Sequence, residues 1–96
     1  MVKHVVCFKL KDNSLEECKK AQEILLSMKG NVPMLQDIEV GVDFLHSARS
    51  YDIHLEVTLP DRDALDAYQS DPYHCSVVKK HMHAVAESSV SVDWEV

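Results

Sequence analysis

Hydrophobic and polar residues alternate in four stretches of the chain, which is typical of β-strands that bury one face. In the first stretch, Val2 to Leu10, the even-numbered positions are mostly apolar. The alternation returns from Ile38 to Phe44, from Tyr51 to Leu59 and from Val90 to Val96. The pattern therefore predicts four strands.

Apolar residues spaced three and four apart predict helices between these strands. Ser14 and Glu17 form a capping box that begins the first helix, and we expect Gly30 to end it in a left-handed conformation. After the third strand, Asp61 is expected to cap a short helix, and Asp71, which precedes a proline, to cap another. The predicted order is β-α-β-β-α-α-β.

This order predicts an α+β fold in which a four-stranded antiparallel sheet carries its helices on one face. The length of 96 residues is that of a single domain, residues 1–96. The reverse face of the sheet is expected to carry a mixture of apolar and polar side chains: Val5, Cys7, His54, Glu56 and Asp93. A small domain with such an uncovered face is expected to form a homodimer through a partly wet interface.

Composition narrows the range of partners and locations. The chain has 10 Lys and Arg against 16 Asp and Glu, a formal charge of −6 that disfavours nucleic acid. The apolar run Val5–Phe8 is far shorter than the roughly 18 residues of a membrane span. Cys7, Cys18 and Cys75 are odd in number and lack the spacing of a redox motif. We therefore expect a soluble cytoplasmic protein with reduced thiols.

Two residues on either side of the Asp71 cap are candidates for acid–base chemistry. His74 is expected at the third position of its helix, where the helix dipole favours a neutral, basic imidazole. The alternative is a helix-start histidine that only bonds the backbone. Tyr68 lies on the apolar stripe of the preceding helix, so it is either a core tyrosine or a hydroxyl facing a pocket.

Three further residues are predicted to line a ligand pocket between the sheet and the helices. His4 and Phe8 share one face of the first strand, and Ile53 faces the same way on the third strand. A histidine at this position without a partner costs about 1–3 kcal/mol, so His4 is either a satisfied core residue or part of a site.

Neither a metal nor a cofactor is expected. His81 and His83 are about 200° apart on a helix and cannot share an ion by themselves, whereas His81 is expected on the same face as His74. The two glycines, Gly30 and Gly41, provide no phosphate-binding loop.

Several motifs follow one another in a recognisable order. The chain opens with Val-Lys-His-Val-Val-x-Phe-Lys-Leu-Lys-Asp at residues 2–12, continues with Val40-Gly41 and Tyr51-Asp52, and carries a Tyr-x5-His motif from Tyr68 to His74. Together with the closing Val92-Asp93-Trp94, they resemble the stress-responsive A/B barrel family, the Dabb domain. The resemblance implies a ferredoxin-like protomer and a homodimeric α+β barrel.

The resemblance leaves two hypotheses for function. Similar proteins include stress-associated proteins without assigned activity and a plant polyketide cyclase that works by aldol condensation. In that cyclase a Tyr and a His spaced like Tyr68 and His74 form the acid–base pair, a first-strand His corresponds to His4, and a third-strand His corresponds to Ile53. The first hypothesis is a homodimer that binds a small apolar or carbonyl-containing molecule. The second is a cofactor-free cyclase or lyase in which His74 abstracts a proton and Tyr68 donates one.

Overall fold

In the computed structural model, which describes residues 1–96, the predicted order of strands and helices is confirmed. The strands are β1 (Val2–Leu10), β2 (Asp37–Val42), β3 (Ile53–Leu59) and β4 (Ala86–Glu95). The helices are α1 (Leu15–Leu26), α2 (Arg62–Gln69) and α3 (Lys80–Val85), and a π-helical segment (His74–Lys79) directly precedes α3. None of the helices combines the length and the apolar composition needed to cross a bilayer.

The helices begin at the predicted caps. The side-chain oxygens of Ser14, Asp61 and Asp71 accept hydrogen bonds from the backbone N–H three residues later, at 3.4, 2.8 and 3.0 Å. The end of α1 differs from the prediction, because the helix stops at Leu26 and the chain tightens into turns with i to i+3 hydrogen bonds. Gly30 does adopt a left-handed conformation, with φ of 86°, but it ends these turns and not the helix.

The four strands form one antiparallel sheet in the order β2-β3-β1-β4. The helices cover one face of it, and 15 buried apolar side chains form a single core. Helix α1 contributes Leu25 to this core, the turns that follow it contribute Met28, β3 contributes Val57, and α2 contributes Tyr68. The sheet and the helices thus enclose a space into which both β1 and the helices project side chains.

The apolar positions of β4 lie on the opposite face from the one that helices cover. Val92 pairs with Val5 of β1, and cross-strand partners share a face, so Val92 lies on the reverse face of the sheet. The expectation for Asp93 was wrong, because this residue pairs with His4 and lies on the helix face. Alternation identifies two faces of a strand, but only the pairing decides which one meets the helices. The reverse face therefore holds three more apolar side chains: Val90, Val92 and Trp94.

Two strand ends also differ from the pattern. Strand β2 stops at Val42, which leaves Phe44 almost fully exposed in the following loop. Strand β3 starts at Ile53, directly after Asp52, whose buried carboxylate accepts a hydrogen bond from the backbone N–H of Leu10 at 2.8 Å. This bond ties the β3 entry to the end of β1.

Candidate functional site

A cavity of about 260 Å³ lies between the β1–β4 half of the sheet and the helices. Ligand pockets for drug-sized molecules run to about 300–1,000 Å³, so this volume suits a small metabolite. Half of the 14 lining residues are apolar, and none of them is an acid. The lining residues are His4, Val6, Phe8, Leu25, Leu55, Tyr68, Gln69, His74, Val78, Lys79, Met82, His83, Ser89 and Ser91.

The local sequence around Asp71 holds His74 in the cavity wall. Asp71 accepts a hydrogen bond from the backbone N–H of His74, and Pro72 occupies the first helical position, where its fixed φ suits a helix start. The imidazole Nδ1 lies 2.8 Å from the carbonyl oxygen of Tyr68. A carbonyl only accepts, so Nδ1 carries the proton and Nε2 of the neutral ring carries the lone pair.

The surroundings of His74 keep its ring neutral. Burial is the largest influence and lowers the pKa of His74 below its ordinary value. The hydrogen bond to the Tyr68 carbonyl and the charge of Asp71 act in the opposite direction, while Lys79 and His4 lower the pKa further. The sequence had pointed to the helix dipole as the cause, whereas desolvation dominates.

The second ring nitrogen of His74, Nε2, forms no hydrogen bond within the chain. It is not completely buried either, because the only completely buried side-chain nitrogen or oxygen without a partner belongs to His81. Nε2 of His74 is therefore accessible for a ligand.

Tyr68 is fully buried, and its ring lies between two imidazoles. Its ring stacks on that of His74 with centroids 4.1 Å apart and meets that of His4 edge-on at 5.6 Å. The hydroxyl donates to Sδ of Met28 at 3.7 Å. Burial, reinforced by the charge of Asp71, raises the pKa of Tyr68 above its ordinary value. The structure thus brings Tyr68 and His74 together, as predicted, but through the ring of Tyr68, with the hydroxyl bonded to Met28.

His4 has a partner that the sequence did not reveal. Its Nδ1 forms a hydrogen bond with the carboxylate of Asp93, the residue directly opposite on β4. Because an ionised carboxylate only accepts, Nδ1 of His4 carries the proton of this hydrogen bond. The two-residue spacing of Ser89, Ser91 and Asp93 indicates a polar face of β4. Only the strand register shows that this face lies beside His4.

The two other predicted pocket residues behave differently. Phe8 lines the cavity. Ile53 does not line it; this residue is buried in the core, between Phe8 and Val42 in the sheet. Leu55, two residues further along β3, lines the cavity instead.

The π-helical segment changes which residues of the last helix face the cavity. In an α-helix His81 would share a face with His74. Hydrogen bonds from i to i+5 accommodate one extra residue in this turn, so the face shifts by one position. The expectation for His81 was therefore wrong, and the residues that line the cavity after His74 are Val78, Lys79, Met82 and His83. The chain contains no group of three His, Cys, Asp or Glu residues placed to bind a metal.

Comparison with known proteins identifies the family. The stress responsive A/B barrel domain, Dabb, matches residues 2–96. The chain therefore belongs to the Dabb family, and its fold is ferredoxin-like, with a four-stranded antiparallel sheet and three helices. None of the curated proteins compared with the chain matched it.

Solved structures with the same fold include proteins from three bacteria. A dimeric protein of unknown function and ferredoxin-like fold from Bacteroides fragilis has 27% identity and a TM-score of 0.83, covering 99% of this chain and 95% of that one. A dimeric ferredoxin-like protein of unknown function from Thermobifida fusca has 21% identity and a TM-score of 0.83, covering 99% and 90%. A Dabb family protein from Mesorhizobium loti has 19% identity and a TM-score of 0.76, covering 99% and 95%.

Proposed function

We propose that this Dabb protein binds a small, largely apolar molecule with a carbonyl group in the cavity between the sheet and the helices. The observation that carries this proposal is the accessible Nε2 of His74 at the wall of a cavity that is half apolar. The apolar side chains stabilise the body of such a ligand, and the imidazoles of His74 and His4 select for polar groups on it. A stress-associated role, as the family description suggests, is compatible with binding of this kind.

The working unit that we propose is a homodimer formed by the reverse face of the sheet. Val90, Val92 and Trp94 are 50%, 62% and 44% exposed there, beside the half-buried Val5. Contiguous exposed apolar surface of this kind marks an interaction site. Two relatives of similar fold are dimeric proteins, which supports a second copy of this chain as the partner.

A second candidate function is acid–base catalysis without a cofactor, as in aldol cyclisation. The lowered pKa of His74 favours it, because a neutral imidazole with a free Nε2 is able to abstract a proton next to a carbonyl. Tyr68 would act as the proton donor to the developing oxyanion. For that step its hydroxyl must exchange Met28 for the substrate, because its one proton is donated to Sδ of Met28.

We further propose a cytoplasmic location. The three cysteines are unpaired, and Cys18 is buried with its sulfur 3.6 Å from the carbonyl oxygen of Asn13. Burial is the largest influence that raises the pKa of both Cys7 and Cys18. Free thiols without bridges are typical of a reducing compartment.

The experiment is a search for ligands that co-purify with the chain. Small molecules extracted from the native protein and from the variant His74→Gln are compared by mass spectrometry. The variant His46→Asn is the control, because His46 is an exposed histidine outside the cavity. A carbonyl compound that is enriched on the native chain and on His46→Asn, but depleted on His74→Gln, supports the proposal. Equal retention by all three proteins would contradict the role of His74.

A further inference from the structure

The charge of the cavity wall differs in sign from that of the whole chain. The chain carries 16 acidic and 10 basic residues, yet none of the 14 lining residues is Asp or Glu. The one lining side chain with a permanent charge is Lys79, a cation. The carboxylate of Asp93 lies beside the cavity but is bonded to Nδ1 of His4. Lys79 is therefore the charge that the lining itself presents to a ligand, and it attracts a negative group.

The π-helical segment is what brings Lys79 to the cavity. Five residues along an α-helix correspond to a rotation of about 140°, which would separate Lys79 from His74 around the helix. In the π-helical turn the hydrogen bonds connect residues five apart, and both residues line the same cavity. Consistent with this proximity, the charge of Lys79 is one of the causes that lower the pKa of His74.

The ammonium group of Lys79 is positioned but not neutralised. Its Nζ donates to the carbonyl oxygen of Gln69 at 2.7 Å, and it forms no ion pair. An ammonium has three N–H donors, so two remain for a ligand. The positive charge is thus held at the cavity wall without a protein carboxylate.

Two hydroxyl groups of β4 add donors to the same cavity. Ser91 lies opposite Val6 and Ser89 opposite Phe8 in the sheet, so both serines lie on the helix face. Both line the cavity, and neither hydroxyl forms a hydrogen bond within the chain. The edge strand of the sheet therefore offers unpaired donors to the cavity that Lys79 also lines.

We infer that the ligand is an oxo acid, a carbonyl compound whose carboxylate is bound by Lys79 with help from Ser89 and Ser91. This inference rests on the proposed function, in which the carbonyl group binds near Nε2 of His74. One fixed cation with neutral hydroxyls balances the single charge of a carboxylate. A phosphate monoester carries about −1.5 to −2 charges at pH 7, which one lysine does not balance in a chain of formal charge −6.

The test compares three probes of similar apolar size: 4-oxo-4-phenylbutanoate, its uncharged methyl ester, and benzyl phosphate. Binding to the protein is measured by NMR titration, following the ring signals of His4 and His74. We expect the acid to bind about tenfold more tightly than the ester, which is the effect of one charge-assisted hydrogen bond, and more tightly than the phosphate.

Variants assign the preference to Lys79. Lys79→Met should remove the advantage of the acid and leave the affinity for the ester unchanged, and Lys79→Arg should restore most of it. Lys80→Met is the matched control, because it removes the same charge from the next residue, which is exposed and does not line the cavity. It should leave the preference intact.

The possible results separate this inference from the proposed function. Equal affinity for acid and ester in the native protein overturns the carboxylate site but leaves carbonyl binding in place. Tighter binding of benzyl phosphate overturns the assignment of the ligand class. If neither the acid nor the ester shifts the signals of His74, both the proposed function and this inference fail.

Discussion

The imidazole of His74 is anchored to the backbone of Tyr68, with Nδ1 2.8 Å from the carbonyl oxygen and the two rings stacked at 4.1 Å. The six-residue span between them turns the Asp71-Pro72 corner, where a proline limits the backbone. The anchor is thus a main-chain atom, which no side-chain substitution at Tyr68 removes. The position of the His74 ring in the cavity wall is therefore a property of this corner of the fold.

His74 should titrate below the ordinary histidine pKa of about 6.5. Burial is the main reason, and the nearby charge of Lys79 adds to it. The titration of the Cε1 proton by NMR measures this directly. In the variant Lys79→Met the pKa of His74 should move upward, whereas Lys80→Met should change it less. A pKa of His74 above 6.5 in the native protein would be inconsistent with a neutral base.

Acidification should destabilise the fold through His74. Because its pKa is lower in the folded chain than in the unfolded chain, the unfolded chain binds the proton first as the pH falls. The contribution of His74 to stability is therefore complete above pH of about 6.5 and is lost as the pH falls toward the lowered folded-state pKa. Urea unfolding at pH 7.5 and 5.5 should show a smaller loss of stability for His74→Gln than for the native chain. The same loss in both proteins would argue against this coupling.

Two substitutions at Tyr68 should have very different effects. Tyr68→Phe removes the bond to Met28 but keeps the ring, so we expect a cost of about 1 kcal/mol or less and an unchanged titration of His74. Tyr68→Ala leaves a cavity in the core and should cost about 3–5 kcal/mol. Urea unfolding and NMR titration give both quantities. If Tyr68→Phe weakens ligand binding or abolishes turnover, the hydroxyl takes part directly, as the catalytic hypothesis requires.

The dimer should depend on the apolar part of the reverse sheet face. Val92→Glu places a charge there and should shift the protein to monomers in analytical ultracentrifugation at micromolar concentration. The emission maximum of Trp94, the only tryptophan of the chain, should shift to longer wavelength because this residue becomes exposed to solvent in the monomer. Val77→Glu is the control, because Val77 is also exposed but lies on the π-helical segment. A native chain that sediments as a monomer would contradict the proposed interface.

The sequence by itself was sufficient to predict the strands and helices of the fold and their order. The caps at Ser14, Asp61 and Asp71 and the spacing of apolar residues are local signals, because each involves residues only a few positions apart. The Tyr-x5-His motif also lies within one short segment, so the proximity of Tyr68 and His74 was predictable.

The tertiary structure decided which faces these elements present. The pairing of β4 with β1 places Asp93 beside His4 and turns Val92 outward, and this register joins residues nearly 90 positions apart. The π-helical turn moves the cavity-lining face from His81 to His83. Apolar periodicity describes a single strand or helix, whereas strand register and helix phase depend on how elements pack together. The cavity is formed by such packing, and for that reason its residues were only partly predictable from the sequence.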